Sequence, residues 1–296
     1  MRRKAAGIFY GAMGAVCYGT NPLFALNLYH HGFNADSVLF YRYCTAAIIF
    51  GLWTFFVKKI PLQLKKEEFL PLFIMGLLFS FSSLTLFTSY SYIDAGIASV
   101  ILFVYPIFVA IIMALGFKEH LPKSTILSIV LVTLGVFLFY KGKEGQSLDL
   151  YGLMLVFLSA LFYAIYMVGI KTNQILKHMN SSKLNFYVMI FGLSVYIWNL
   201  KFCTQLQPIQ QPVLWINVLM LALLPTIVSL ETMTISIKFI GPTLSAIISA
   251  LEPVSAMFFC VVFFHEELTG KIVSGMIAIL LAVYIIIMGS KKPVKS

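Results

Sequence analysis

Charged residues make up only 11% of this 296-residue chain. That scarcity excludes an ordinary soluble domain, where they amount to about a quarter. Cysteines number four (Cys17, Cys44, Cys203 and Cys260) at neither metal-ligand nor CxxC spacing. No metal centre, redox pair or disulfide framework is therefore expected. Long polar stretches are missing too. The longest links, near 58–68, 171–183 and 202–212, leave no room for a catalytic or regulatory module outside the apolar segments. No Walker sequence or phosphate-cradling glycine loop occurs, so neither an ATP-driven step nor a cofactor is expected.

What fills the chain is apolar: 60% hydrophobic residues and a mean hydropathy of +0.94. A membrane-crossing helix needs about 20 mostly apolar residues. Ten segments qualify, near 6–29, 36–57, 69–91, 96–117, 124–140, 150–170, 184–203, 213–236, 242–264 and 270–289. Runs such as 272–288 are apolar on every face, whereas strands of a membrane barrel alternate. The expected class is thus an all-α integral membrane protein. The start, Met1-Arg2-Arg3-Lys4 before an apolar run, imitates a signal peptide, but Asn21-Pro22 and further apolar residues follow without a small-residue cleavage site. It reads as the first helix.

A duplication organises these segments. Pro106 and Glu119 recur as Pro253 and Glu266, both 147 positions on; Leu39-Phe40-Tyr41 recurs as Asn185-Phe186-Tyr187 at an offset of 146. Gly7, Ala15 and Tyr18 match Gly152, Ala160 and Tyr163 at 145. Two halves follow, 1–145 and 146–296, with five helices each. Related bundles around one site are a common architecture for alternating access, which points to moving cargo.

Lys and Arg set the orientation, since cytoplasmic loops retain positive charge. With the N-terminus inside, sixteen of the 21 lie in inner segments, four (Lys141, Lys143, Lys201, Lys271) in outer ones, and Arg42 within the second helix. Both termini are expected in the cytoplasm, the chain crossing the cell's inner membrane many times. An odd helix number per half makes the repeat inverted. The net charge of +10 is accounted for by this bias and by anionic membrane lipids, without a nucleic-acid partner.

Four prolines, Pro22, Pro106, Pro225 and Pro253, fall inside apolar segments, where each removes a backbone hydrogen bond and favours a kink. Pro106 and Pro253 hold equivalent places and are the candidate gating hinges. Gly7, Gly11, Ala15 and Gly19 form a small-residue stripe on which another helix can lie closely.

Three ionisable residues stand deep in apolar segments: Arg42, Glu231 and Glu252. Each asks for a partner or a wet cavity, at a cost of about 2.5–3.5 kcal/mol at a helix centre. Arg42, replaced by Val188 in the second half, is read either as the partner of a substrate anion or as a brace against carbonyls or Glu252. Glu252 stands where the first half has Tyr105. Glu231, in Ser229-Leu-Glu-Thr-Met-Thr, is read as facing the cargo, as a site for a cationic amine or a proton carrier, the alternative being a tie between helices. Tyr18, Asn21, Ser83, Tyr90, Tyr105 and Tyr163 complete the candidate substrate-binding set, tyrosine faces serving cations and apolar groups. Glu119 and Glu266, beside charged neighbours, are read as interfacial caps or hinges.

Ala98-Ser-Val-Ile-Leu-Phe-Val-Tyr-Pro106 with Glu119 and Gly135, and Leu251-Glu-Pro253 with Glu266 and Gly275, resemble the EamA-type members of the drug/metabolite transporter superfamily over essentially the whole chain. The resemblance implies ten transmembrane helices as two inverted five-helix repeats. It also implies a secondary transporter, often an exporter, for amino acids or other small metabolites, with a central cavity between the halves. Protons are a candidate coupling partner. Ala282, where the second repeat often has glycine, and Glu231, at a place more often apolar or aromatic, depart from the pattern. Two alternatives remain: a non-transporting membrane receptor or scaffold, which leaves the duplication without a purpose, and a membrane acyltransferase using His31 and Asp36, which have HxxxxD spacing but no polar surroundings to hold an acyl donor.

Overall fold

A computed structural model describes residues 2–93, 98, 101–138, 149–264 and 270–289. The link 141–147, Glu266 and the C-terminal lysines lie outside them. Among the described residues there are helices, turns and links but no strand. In chain order the helices are α1 (Arg2–Tyr18), α2 (Asn21–His30), α3 (Ala35–Leu52), α4 (Lys66–Ser89), α5 (Tyr105–Phe117), α6 (Lys123–Leu138), α7 (Leu150–Thr172), α8 (Ser181–Asn199), α9 (Leu214–Ala222), α10 (Ser229–Ile240), α11 (Pro242–Ile248), α12 (Leu251–Phe264) and α13 (Gly270–Gly289). A π-helical turn, Trp53–Val57, extends α3, and another, Leu223–Val228, fuses α9 to α10. Four helical stretches among the described residues are long and apolar enough to cross a membrane: Ala35–Val57, Lys66–Ser89, Leu150–Thr172 and Leu214–Ile240. The others are shorter or broken.

Local chemistry sets the boundaries. Asn34, Asp149 and Asn180 cap α3, α7 and α8 by accepting bonds from Ser37 N, from Tyr151 N and Gly152 N, and from Ser182 N. Gly241, at φ +88°, makes the turn between α10 and α11, a backbone conformation that side chains resist.

Three of the four apolar-segment prolines stand in the first turn of a helix rather than at a kink inside one. Pro22 and Pro106 sit at the starts of α2 and α5, and Pro253 is the third residue of α12. There the missing N–H costs nothing, because the first four amides have no intrahelical acceptor. The fourth, Pro225, leaves the Leu221 carbonyl without its usual donor. Thr226 Oγ1 donates to that carbonyl at 2.8 Å, within the π-helical turn.

Packing runs chiefly between the halves and is self-consistent under their exchange. α1 lies on α10 as α7 lies on α4; α5 meets α7 as α12 meets α1; α4 contacts α8 as α3 contacts α9. α3 with α8, and α6 with α13, pair with their own counterparts. Small residues permit these approaches. A Cβ on Gly76 would stand 2.7 Å from Phe191 Cβ, one on Gly14 2.9 Å from Thr232 Oγ1, and one on Gly135 2.8 Å from the Gly275 carbonyl. The first-helix stripe that meets α10 and α11 is thus Gly7, Gly11 and Gly14, while Gly19 lies in the break before α2. Between α4 and α7, Ser82 Oγ donates to Ser159 O at 3.0 Å and Ser159 Oγ returns the bond to Ser82 O at 2.7 Å.

Candidate functional site

Two breaks position the site. The chain turns at Phe103–Val104 before α5 and at Ser249–Ala250 before α12, so Tyr105 and Glu252 each stand in a first helical turn beside the proline that follows. Both line one pocket, together with Tyr18, Phe79, Ser82, Ser83, Leu86, Leu102 and Tyr163. Its cavity volume is about 20 Å³, room for about one water-sized group and well below the roughly 300–1,000 Å³ of open ligand pockets, so the lining side chains are nearly closed on one another and a solute enters only as the halves part.

Aromatic rings form much of the wall. The Tyr105 and Tyr163 rings meet edge-on at 5.0 Å between centroids, and Phe79 lies 6.4 Å from Tyr163. Ser83 Oγ is 3.0 Å from the Tyr43 hydroxyl, and Tyr43 packs on Tyr196 at 4.8 Å, which holds that wall from behind. Tyr105 is 1% exposed, and its hydroxyl, near Ser249, makes no hydrogen bond of ordinary geometry among the described residues. The Glu252 carboxylate makes no ion pair or side-chain hydrogen bond among the described residues.

The structure brings together five of the residues singled out from sequence: Tyr18, Ser83, Tyr105, Tyr163 and Glu252. Phe79, Leu86 and Leu102 were not among them. The spacing of Phe79, Ser82, Ser83 and Leu86 on one face of α4, with two small hydroxyls among large apolar neighbours, is the signal that could have found that wall.

Arg42 stands behind the pocket, 0% exposed, with its guanidinium carbon 5.8 Å from the Tyr18 ring centroid. Nε donates to Thr226 Oγ1 at 2.6 Å and Nη2 to the Pro225 carbonyl at 3.4 Å, while Nη1 has no partner among the described residues. It braces the proline turn, and its charge reaches Glu252. Asn21 opens α2 with a buried, unpartnered Oδ1, and Tyr90 follows α4 with its ring 5.5 Å from Phe87; neither lines the pocket. Pro106 and Pro253 adjoin lining residues without lining it themselves.

Glu231 is elsewhere. Sequence reading made it a lone carboxylate facing the cargo, but the structure pairs both of its oxygens. Oε1 lies 3.0 Å from Lys58 Nζ and accepts from Ser182 Oγ at 2.7 Å; Oε2 accepts from Asn185 Nδ2 at 2.9 Å. Thr234 donates to Asn185 Oδ1 at 3.0 Å, which completes the cluster. Lys58, just past the π-helical turn of α3, reaches the carboxylate from a link distant in sequence. Beside this cluster Lys183 bridges Glu68 at 2.7 Å and the Gln63 carbonyl at 2.9 Å. Along α4, Glu68 and Phe79 are eleven residues apart, about 16 Å, so the pocket and the ionic cluster are separate places.

Equivalent tyrosines tie the two ends. Tyr187 donates to the Leu62 carbonyl and Tyr41, its duplicate, to the Gln207 carbonyl at 2.9 Å, each gripping a link from the other half. Gln207 also donates from Nε2 to Gly32 O at 3.0 Å and accepts from Asn34 N at 2.6 Å. Glu119 Oε2 accepts from Thr243 Oγ1 at 3.3 Å, joining the end of α5 to the start of α11. His31 and Asp36 are not brought together: the His31 ring bonds the Asn27 carbonyl and Asp36 accepts from Asn199. Cys17, Cys44 and Cys203 are free thiols.

The model of the EamA-like transporter family matches residues 5–141 and again 150–288. Two uncharacterized transporters of Bacillus subtilis (strain 168) are each 25% identical to the chain. YcbK aligns over 281 residues, 90% of this chain and 88% of its own; YoaV aligns over 236, 77% and 79%. An uncharacterized transporter of Archaeoglobus fulgidus is 33% identical over 101 residues, 34% of this chain and 35% of its own. A protein of known crystal structure has the same fold, with a TM-score of 0.81 at 14% identity over 97% of this chain and 98% of that one.

Proposed function

We propose, since the chain belongs to the EamA-like transporter family of the drug/metabolite transporter superfamily, that it is a secondary transporter. In this reading it carries small polar metabolites, amino acids among them, through the pocket by alternating access. The single observation that supports it most is the meeting of equivalent residues from both halves at one pocket: Tyr18 with Tyr163, and Tyr105 with Glu252. A site shared symmetrically between two repeats is what rocking one half against the other requires.

In this reading the chain crosses the inner membrane ten times, as two inverted repeats of 1–145 and 146–296, with both termini cytoplasmic. Export follows the direction that the family resemblance implies. Tyr18, Ser83, Tyr105, Tyr163 and Glu252 contact the cargo. Asn21, with its free Oδ1, and Arg42, with its free Nη1, stand behind them as reserve polar groups, and Tyr90 supports the wall through Phe87. The breaks before Pro106 and Pro253 are the hinges. Glu231 with Lys58 closes the end that faces the cytoplasm, while Gln207 closes the other.

Solute counterflow tests the reading. Purified chain in proteoliposomes loaded with one of a panel of amino acids, amines, purines and sugars should exchange at least one of them; no exchange with any would sink it. Single cysteines at the two termini should label from the same side of the membrane.

A further inference from the structure

Resting on that reading, we propose that the pocket selects a small organic ammonium compound with an apolar or aromatic body, and that Glu252 is the group that recognises its charge. Among the lining side chains only Glu252 has a carboxyl group, and it makes no ion pair or side-chain hydrogen bond among the described residues. Such a carboxylate in an apolar helix is costly unless a cation or water meets it. Glu231 shows what this chain does when a carboxylate serves to tie helices: it supplies a lysine, a hydroxyl and an amide. Among the described residues nothing comparable is built around Glu252.

The rest of the wall suits the same cargo. Tyr18, Tyr105 and Tyr163 offer aromatic faces, which attract ammonium groups, and Phe79, Leu86 and Leu102 offer an apolar surface for the body. Ser82, Ser83 and the unpartnered Tyr105 hydroxyl are oxygens that can accept from an ammonium. The one nearby guanidinium, Arg42, is fully buried behind Tyr18 and directed at Thr226 and the Pro225 carbonyl, so an anion entering the pocket meets the carboxylate first. Glu252 comes from the second half, where its equivalent is Tyr105, so charge recognition is a property of one repeat alone.

Three probes of matched shape separate charge from fit: phenethylamine, the neutral 2-phenylethanol and the anionic 3-phenylpropionate. Binding to the full chain in detergent should favour phenethylamine by about tenfold or more over either, the size of one hydrogen bond to a charged group. Glu252→Gln should bring the amine down to the level of the alcohol, and Glu231→Gln should leave the preference intact. Tyr163→Leu, which keeps the carboxylate, should weaken the amine more than the alcohol, and it carries the test if Glu252→Gln does not fold. Equal binding of amine and alcohol to the native chain, or an amine preference surviving both Glu252→Gln and Tyr163→Leu, overturns the proposal. Counterflow of neutral or anionic solutes without any amine preference overturns it while leaving transport standing. Amine binding that depends on Glu252, without counterflow of any solute, leaves the site and removes the transport reading.

Discussion

The two ends of the molecule are tied by the same duplicated tyrosine and differ in what surrounds it. Tyr41 and Tyr187 each grip a carbonyl in a link of the other half, one at the end of Gln207 and the other at the end of Lys58. Ala35–Val57, 23 residues long, separates those ends by about 35 Å. At the Gln207 end the neighbouring bonds run from amides to a carbonyl, a hydroxyl or a carboxylate, as in Gln207 to Gly32 and Ser37 and Asn199 to Asp36. At the Lys58 end two ion pairs, Lys58 with Glu231 and Lys183 with Glu68, are added. The tie is common to both ends, and among the described residues the ion pairs stand on one side only. Near-symmetry of backbone and packing is thus compatible with ends tied by different chemistry.

Removing one member of the ionic closure is the harshest way to break this comparison. Lys58→Ala leaves Glu231, 16% exposed, with neutral donors alone. A loss of about 1–3 kcal/mol is expected, below the 3–5 of a fully buried pair because the site is partly open. Thermal unfolding in detergent measures it, and in a double-mutant cycle Lys58→Ala with Glu231→Gln should cost less than the sum of the two. A sum without coupling would mean that the pair adds nothing to closure.

The shared tie should be worth less, and about the same at both ends. Tyr41→Phe and Tyr187→Phe each delete one hydrogen bond to a backbone carbonyl, about 0.5–1.5 kcal/mol. Each should also raise the labelling rate of cysteines at its own end only. Equal increases at both ends from either substitution would show that the ties do not act locally.

Salt should give the smallest effect and the sharpest distinction. Raising ionic strength shortens the screening length to about 3 Å at 1 M. Labelling near Lys58 should rise modestly while labelling near Gln207 stays constant. A parallel rise at the two ends would remove the electrostatic difference between them.

Much of the layout was legible in the residues. Helix positions follow from runs of apolar side chains, and the pairing of Tyr18 with Tyr163 and of Pro106 with Pro253 follows from repeat offsets alone. Both kinds of signal are local or periodic. Glu231 misled because position along an apolar run gives depth but not direction: its partners Lys58, Ser182 and Asn185 come from 173, 49 and 46 residues away. Phe79, Leu86 and Leu102 were hidden for a different reason. In a chain with 27 phenylalanines and an apolar majority, an apolar wall residue looks like any lipid-facing one. The prolines were read as kinks within continuous helices, whereas three of them begin new helices, a distinction set by the turns before them at Thr20, Val104 and Ala250.

With the breaks before Pro106 and Pro253 as the proposed hinges, each helix that follows is a lever with a very unequal pair of arms. With α5 thirteen residues long, about 20 Å at 1.5 Å per residue, a swing of about 15° would carry its far end roughly 5 Å. Tyr105, beside the fulcrum, would hardly move. Glu252 stands in the same relation to α12. On the proposed transport reading, a passage wide enough for a solute would open at a helix tip while the grip on that solute is kept.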